Sequence, residues 1–210
     1  MKFCVIGVGR LGYHVAVTLA DNGMEVLAVD SNEAIIDSIR DKVSQAVCLR
    51  ITEEDDLRSI GVADFDVVIV AMGENFAESI LVTALLKQNL KIARVITRSI
   101  NKIHKNILQL IGADQVVLPE QDAGIKLADT LSLPFSALMR LTPSFSLSSS
   151  KAPKKAVGKK IDIMQELYSV TCVGKKIGDE IVTLNKDYVI QESDTLVYAG
   201  DNKDLEKLIK

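Results

Sequence analysis

Length, composition and charge exclude several classes of protein. The chain has 210 residues, of which 48% are hydrophobic and 25% charged, as is typical of a folded protein of one or two domains and not of a disordered chain. It contains no apolar run of the roughly 18 residues that a membrane-spanning helix needs, its N-terminus does not resemble a signal peptide, and its net charge of −3 argues against a nucleic-acid partner. We therefore expect a cytoplasmic protein.

Six short apolar runs predict a parallel sheet in the first part of the chain. Between them apolar residues recur at helical spacing, and Gly23, Gly61 and Gly112 lie where helices should end. Right-handed crossovers between such strands give a Rossmann-like, doubly wound α/β fold. The runs are continuous rather than alternating, as expected of strands covered on both faces, and they are Phe3–Ile6, Val26–Val29, Ala46–Leu49, Val67–Ala71, Ala93–Ile96 and Val116–Leu118.

The composition changes after residue 134. Leu133-Pro134 interrupts a helix that begins near Pro119, and residues 143–153 are rich in serine and lysine with little helical character. We therefore predict a first domain over residues 1–134, a linker over 135–142 and a small α+β module over 143–210. Because this module is short, it should dimerise or pack against another domain to be stable. The elements predicted in this module are helices Ile161–Leu167 and Asp204–Ile209 and strands Ser169–Val173, Glu180–Leu184 and Thr195–Tyr198.

A glycine-rich loop is the strongest local signal. Gly7-Val8-Gly9-Arg10-Leu11-Gly12 directly follows the first strand and opens the first helix, which is the context that a nucleotide-binding G-x-G-x-x-G motif requires. Gly7 permits the tight turn, Gly9 lets the backbone approach a pyrophosphate, and Gly12 lets the helix pack close to the strand. Free N–H groups and the helix dipole favour the phosphate charge.

Asp30 and Arg10 extend this interpretation, and each has an alternative. Asp30 ends the second strand, where its carboxylate can accept both ribose hydroxyls of a nucleotide. Alternatively, it only caps the segment Asp30-Ser31-Asn32-Glu33, which looks like a helix start. Arg10 can pair with a terminal phosphate, which suggests ATP or ADP as readily as NAD; alternatively, it is a solvated residue of the first helical turn.

Four further segments complete a known pattern. They are Ala71-Met72-Gly73-Glu74-Asn75, Ile96-Thr97-Arg98, Ile111-Gly112-Ala113-Asp114-Gln115-Val116-Val117 and Leu118-Pro119-Glu120. Together with the glycine loop and Asp30 they make residues 1–134 resemble the KTN/RCK regulatory subunits of Trk and Ktr potassium uptake systems. The remaining residues resemble the RCK-C module more loosely, and one N and one C module correspond to the single-unit, Ktr type.

The resemblance implies a gating subunit and not an enzyme. Dimers would assemble into an octameric ring on the inner face of the cell membrane, attached to a KtrB/TrkH-like potassium translocator, and ATP and ADP would favour different ring shapes, with NAD(H) as the other ligand. In some members of the wider family the C-module binds cyclic di-AMP, for which nothing in this sequence specifies a pocket. The residues that motif and resemblance together assign to the nucleotide are Gly7, Gly9, Arg10, Leu11, Gly12, Asp30, Ser31, Asn32, Arg50, Ala71, Met72, Gly73, Arg98 and Glu120.

Glu120 and Arg50 have implications beyond a simple nucleotide contact. The resemblance implies that Glu120 can also join a cation site at the dimer interface, although an early acidic residue after Pro119 at the first helical position has a capping role as well. Many relatives carry a Gly-Asp-Ala/Thr or Asn-Ala-Thr turn after the third strand, where this chain has Leu49-Arg50-Ile51-Thr52. Arg50 therefore replaces an acidic or amide side chain near the expected adenine, where it could stack on the base or change the preferred nucleotide.

The remaining chemically active residues favour structural interpretations. His14 and His104 lie on predicted helices with no carboxylate or serine at a defined position, so neither is assigned as a general base. The three cysteines, Cys4, Cys48 and Cys172, are interpreted as core residues. The acidic run at residues 53–56 favours a helix start over a cation site, and the lysines at positions 151–160 favour a solvated loop.

Two other functions stay open at this point. The first is a small NAD-dependent oxidoreductase, which is disfavoured because only a short segment with few acid–base residues follows the nucleotide fold. The second is an NADH-responsive regulator that acts alone, which differs from the gating subunit only in its ligand and partner.

Overall fold

The structure, a computed structural model, describes residues 1–73, 75–132 and 137–208. These residues form two compact units, Met1–Asp122 and Ala123–Lys210. Helix α6 (Pro119–Ser132) contains this division, which comes earlier than the domain end predicted at residue 134. The predicted helix interruption at Leu133-Pro134 lies outside the described residues.

The first unit contains a six-stranded parallel sheet of order β3-β2-β1-β4-β5-β6. The predicted doubly wound fold is therefore confirmed, with all six predicted strands present and their ends shifted by a few residues. Strand β1 pairs with β2 on one side and β4 on the other, so the strand order reverses between β1 and β4. The strands are β1 (Lys2–Ile6), β2 (Glu25–Asp30), β3 (Gln45–Cys48), β4 (Val67–Val70), β5 (Val95–Arg98) and β6 (Gln115–Val117).

Helices cover both faces of this sheet. Two clusters of buried apolar side chains lie on opposite faces, one around Val70, Val82 and Leu86 and the other around Val5 and Ile36. This two-sided burial explains why the strand sequences are continuously apolar. The helices are α1 (Arg10–Asp21), α2 (Glu33–Ile39), α3 (Glu54–Ser59), α4 (Phe76–Ala84), which continues as a π-helical segment over Leu85–Asn89, and α5 (Lys102–Ile111).

Short capping motifs define where several helices begin. The side chains of Asn32, Asn75 and Asn101 each accept a hydrogen bond from a backbone N–H in the first turn of α2, α4 and α5, respectively. The predicted helix start in the acidic run is confirmed, because Glu53 caps α3 and its own N–H donates to the Asp56 carboxylate at 3.0 Å.

The second unit is a five-stranded antiparallel sheet of order β10-β9-β11-β8-β7. Helix α7 (Ile163–Tyr168), helix α8 (Asn202–Leu205) and a 3₁₀ turn over Glu206–Leu208 contribute to its core around the fully buried Tyr198. The predicted α+β class of this module is confirmed. The strands are β7 (Ala137–Arg140), β8 (Phe145–Lys151), β9 (Thr171–Ile177), β10 (Glu180–Val182) and β11 (Thr195–Asp201).

Two strands of the second unit were missed by the sequence patterns. Strand β7 falls in the segment predicted as a linker, and β8 falls in the serine- and lysine-rich segment, for which little helical character but no strand was predicted. Strand β8 pairs with β11 along its whole length and buries four serines at positions 146, 148, 149 and 150, so its inward side chains are small hydroxyls and give no apolar signal. The lysines at positions 151–160 are exposed, as the predicted solvated loop requires, but they do not form one loop, because Lys151 ends β8 while Lys154 and Lys155 lie in a 3₁₀ turn.

The three cysteines differ in burial, although all three were predicted to be core residues. Cys4 is fully buried and burial raises its pKa to about 12, while Cys172 is half-buried and burial raises its pKa to about 11. Cys48 is exposed at the end of β3, so its assignment to the core was wrong. Among the helices of the described ranges, none is both long and apolar enough to cross a membrane.

Glycine positions in two helices allow a direct test of packing. A Cβ on Gly12 in α1 would overlap the carbonyl oxygen of Gly7, whereas a Cβ on the exposed Gly124 in α6 would meet no heavy atom within 4 Å. We expect Gly12→Ala to lower the free energy of unfolding by about 1–3 kcal/mol through overpacking. Gly124→Ala should raise it by about 0.5–1 kcal/mol, because alanine favours the helical conformation. Denaturant titration measures both changes, and a neutral Gly12→Ala would contradict the packing argument.

Candidate functional site

A cavity of about 790 Å³ opens at the carboxyl ends of the strands in the first unit. It lies where the strand order reverses between β1 and β4, which is the crevice where open α/β sheets bind their ligands. Three of the predicted nucleotide residues, Leu11, Gly12 and Glu120, do not line it. The predicted residues that do line it are Gly7, Gly9, Arg10, Asp30, Ser31, Asn32, Arg50, Ala71, Met72, Gly73 and Arg98.

Each of the three glycines of the loop has a different structural explanation. Gly7 has a φ of +87°, and a Cβ there would lie 2.9 Å from the backbone nitrogen of Met72. Gly12 is required by the close packing of α1, as described above. Gly9 has a φ of −68°, which any residue adopts, and a Cβ on it would meet no heavy atom within 4 Å. Since the fold itself does not require a glycine at position 9, close approach of a ligand to the backbone accounts for it best.

Asp30 connects the glycine loop to the start of α2. One carboxylate oxygen accepts from the N–H of Val8 at 2.7 Å, and the other accepts from the N–H of Asn32 at 2.9 Å. The side chain of Asn32, and not that of Asp30, caps α2 by accepting from the N–H of Ala34. A carboxylate has about four acceptor positions, so two stay available for ribose hydroxyls.

Two arginines line the part of the cavity near the loop. Arg10 is exposed at the first position of α1 and forms no salt bridge with any residue of the described ranges. Arg98, at the end of β5, is 18% exposed and pairs with Glu120, while its buried Nε has no hydrogen-bond partner among the described residues. A Cβ on Gly73 would overlap the Arg98 guanidinium, so the glycine leaves the space that this guanidinium occupies. Both cations can therefore contact an anion in the cavity.

Glu120 itself is 65% exposed in the first turn of α6. Its position after Pro119 agrees with the capping role considered from the sequence. The described residues contain no group of three or more histidine, cysteine, aspartate or glutamate side chains arranged to hold a metal ion. A cation at Glu120 would therefore need ligands from outside this set, and the predicted site stays a prediction.

Two polar residues that line the cavity were not predicted as ligand contacts. Asn75 caps α4, and Glu78 in the first turn of that helix forms a salt bridge with Arg50 at 2.6 Å. The sequence does carry a signal for them, since Asn-x-x-Glu is the pattern of a helix start. That signal places Glu78 at the cavity only when the position of α4 after β4 is known.

The histidines do not contribute to this cavity. His104 is buried, its ring centroid lies 4.4 Å from that of Phe76, and its Nδ1 accepts from the N–H of Ile100 at 3.4 Å. Burial lowers its pKa. Neither His104 nor His14 lines the cavity. That neither is a general base stays a prediction.

Comparison with known proteins decides the family. Residues 3–119, more than half of the 210, match the model of the TrkA-N domain. The chain belongs to the TrkA-N family. The predicted resemblance to KTN/RCK regulatory subunits is thereby confirmed for the first unit.

Relatives of this TrkA-N protein extend the similarity to the whole chain. It is 36% identical to Ktr system potassium uptake protein A of Bacillus subtilis (strain 168), over 98% of this chain and 94% of that protein. It is 33% identical to Ktr system potassium uptake protein C of the same organism, over 100% of this chain and 96% of that protein. The second unit is therefore part of the same family relationship, as predicted from its looser pattern.

Solved structures share the fold of this TrkA-N protein. The GsuK channel bound to NAD superposes with a TM-score of 0.59 at 20% identity, over 99% of this chain but only 38% of that chain. The TrkA-N domain of the inner membrane protein ybaL from Escherichia coli gives a TM-score of 0.56 at 18% identity, over 62% of this chain and 96% of that chain. The chain thus spans less than half the length of the GsuK channel, and these likenesses concern the fold alone.

Substitution of Gly9, a glycine that the fold does not require, tests whether the loop binds a nucleotide. We expect Gly9→Ser to keep the melting temperature of the unsubstituted protein, because serine caps a helix at least as well as glycine. Its side chain occupies the space where a diphosphate approaches the backbone, so we expect ADP affinity to fall by about tenfold or more. Calorimetric titration with ADP measures the loss, with Gly124→Ala as a control outside the cavity. Unchanged ADP affinity in Gly9→Ser would contradict the assignment of the loop.

Proposed function

We propose that this chain is a nucleotide-binding regulatory subunit that gates a separate potassium translocator of the Ktr or Trk type. Two Ktr system potassium uptake proteins that are similar over nearly the whole chain support this role. The observation that carries the proposal is the cavity at the strand-order reversal, with a glycine at position 9 that close approach of a ligand explains best. These relatives do not support the alternative of a small NAD-dependent oxidoreductase.

An adenine nucleotide suits the residues of this cavity. The diphosphate would lie against the N–H groups of the glycine loop at the start of α1, where the helix dipole favours negative charge. The free acceptor positions of Asp30 would take the ribose hydroxyls, and a 2′-phosphate would be repelled there. Ser31, Asn32, Ala71 and Met72 would complete the walls around the sugar and phosphates.

The charges in the cavity favour ATP or ADP over NAD(H). Arg10 and Arg98 both line it, and a guanidinium binds the doubly charged end of a nucleoside di- or triphosphate more strongly than the singly charged phosphates of a dinucleotide. The GsuK channel has been solved with NAD and with ADP, so proteins of this fold accept both kinds of ligand. NAD(H) is therefore the second candidate ligand.

Gating requires that two ligands differ in their affinity for the conformational states of the subunit, and it requires no chemical step. A bound nucleotide supplies charge, and it shifts a conformational equilibrium only as far as its affinity differs between the two states. Arg10, which has no salt bridge among the described residues, can contact a γ-phosphate that ATP has and ADP lacks. The subunit would then adopt different shapes with the two nucleotides without catalysing a reaction.

Exposed apolar side chains support an assembly of several copies. Ile103 and Leu110 of α5 are 71% and 86% exposed, and Leu127 and Leu131 of α6 are 61% and 78% exposed. Each pair recurs at helical spacing and so lies on one face of its helix, and contiguous exposed apolar surface of this kind is typical of an interface. We propose homodimers that assemble into an octameric ring on the cytoplasmic face of the membrane, with a cation near Glu120 at the dimer interface and cyclic di-AMP as a ligand of the second unit.

The proposed role of Arg10 can be tested by comparing two nucleotides. We expect Arg10→Ala to lower ATP affinity by about tenfold, the effect of one charge-assisted contact, and to lower ADP affinity less. In vesicles that contain a Ktr-type translocator, potassium flux should differ between ATP and ADP with the unsubstituted subunit, and this difference should shrink with Arg10→Ala.

The control for this experiment is Arg58→Ala, which removes an exposed arginine of α3 that does not line the cavity. Its nucleotide affinities and its effect on flux should match those of the unsubstituted subunit. Equal losses of ATP and ADP affinity in Arg10→Ala would refute the contact with the terminal phosphate. Identical flux with ATP and ADP in the unsubstituted subunit would refute the gating proposal.

A further inference from the structure

The salt bridge between Arg50 and Glu78 crosses the cavity from one side to the other. Arg50 follows β3, and Glu78 lies in the first turn of α4, which follows β4. In the sheet, β2 and β1 lie between β3 and β4. Strands β3 and β4 are therefore separated by three strand spacings of about 4.8 Å, roughly 14 Å in all. Both side chains line the cavity and they meet at 2.6 Å, so the pair spans the crevice.

The position of Arg50 indicates that the pair would contact the ribose and base of a nucleotide rather than its phosphates. Strand β3 is the neighbour of β2, and Cys48 near its end is paired with Asp30, the proposed ribose ligand. The glycine loop, where the phosphates would lie, follows β1 on the other side of Asp30. Arg50 therefore lies beyond the ribose position, on the side away from the phosphate loop.

The pair is free to rearrange around a ligand. The Arg50 side chain is 69% exposed and that of Glu78 is 27% exposed, and exposed ion pairs contribute little to folding stability. One oxygen of Glu78 accepts from Arg50, while no described residue donates to its other oxygen. A carboxylate can only accept hydrogen bonds, so the free oxygen suits a ligand group that donates one.

From these observations we propose that Arg50 and Glu78 recognise the adenine base of the bound nucleotide. The Arg50 guanidinium lies on the face of the base, as planar guanidinium groups do on aromatic rings. The free Glu78 oxygen accepts a hydrogen bond from the exocyclic amino group of adenine. This inference rests on the proposed nucleotide function and adds the residues that select the base.

The two residues should leave different signatures in binding experiments. Inosine diphosphate carries a carbonyl where ADP carries the amino group, so the Glu78 contact favours ADP and the Arg50 contact does not distinguish the two. We expect the unsubstituted protein to bind ADP about tenfold more tightly than inosine diphosphate, as one charge-assisted hydrogen bond would give. Glu78→Gln should bring this ratio close to one, because a carboxamide can donate to the carbonyl as well as accept from the amine.

Arg50→Gln should weaken the binding of both nucleotides by about fivefold and leave their ratio nearly unchanged, since the face of the two bases is alike. The matched control is Arg58→Gln, which breaks the Arg58–Glu54 pair outside the cavity. That pair is similarly exposed, at 60% and 29%. Its ADP and inosine diphosphate affinities should both equal those of the unsubstituted protein. Melting temperatures of all three variants should stay close to that of the unsubstituted protein.

Calorimetric titration of the full chain with ADP and with inosine diphosphate decides the question. If the unsubstituted protein binds neither nucleotide, the proposed function itself fails. If it binds ADP but the ratio is the same in Glu78→Gln, or if Arg50→Gln has no effect, base recognition by this pair is overturned while the proposed function stands. A ratio that falls only in Glu78→Gln, with parallel losses in Arg50→Gln, supports the inference.

Discussion

The close approach of the first helix to the end of the first strand is the constraint on which the rest of the structure depends. Gly12 brings α1 against the Gly7 carbonyl, and the positive φ of Gly7 turns the chain directly from β1 into the helix. These two glycines fix the position of the helix N-terminus at the cavity. Gly9 then leaves the backbone N–H groups accessible there, so packing of the fold also exposes the helix N-terminus at which the proposed nucleotide would place its phosphates.

Charged side chains from several elements line the cavity. In the proposed binding mode Arg10 and Arg98 would contact the phosphates, Asp30 the ribose and the Arg50–Glu78 pair the base. Each type of group would then face the part of a nucleotide that it can bind. Because these residues lie at the ends of five different strands or in the segments that follow them, a change in the ligand can be transmitted to several elements of the first unit at once.

The sequence predicted the first unit well because its signals are local. Continuous apolar runs such as Val67–Val70 identify buried parallel strands, and the glycine loop identifies the turn after β1. The second unit was harder, because β8 buries serines that have no apolar pattern and its pairing with β11 is long-range. Glu78 was missed for a similar reason, since its contact with Arg50 depends on the order of strands in the sheet.

A crystal structure of the protein grown with saturating ADP tests the central claim most directly. We expect one ADP per chain in the first unit, with its diphosphate against the backbone N–H groups of Gly9 and Arg10 and its ribose hydroxyls on Asp30. Clear density for ADP at any other place, or a cavity without nucleotide at that concentration, would contradict it.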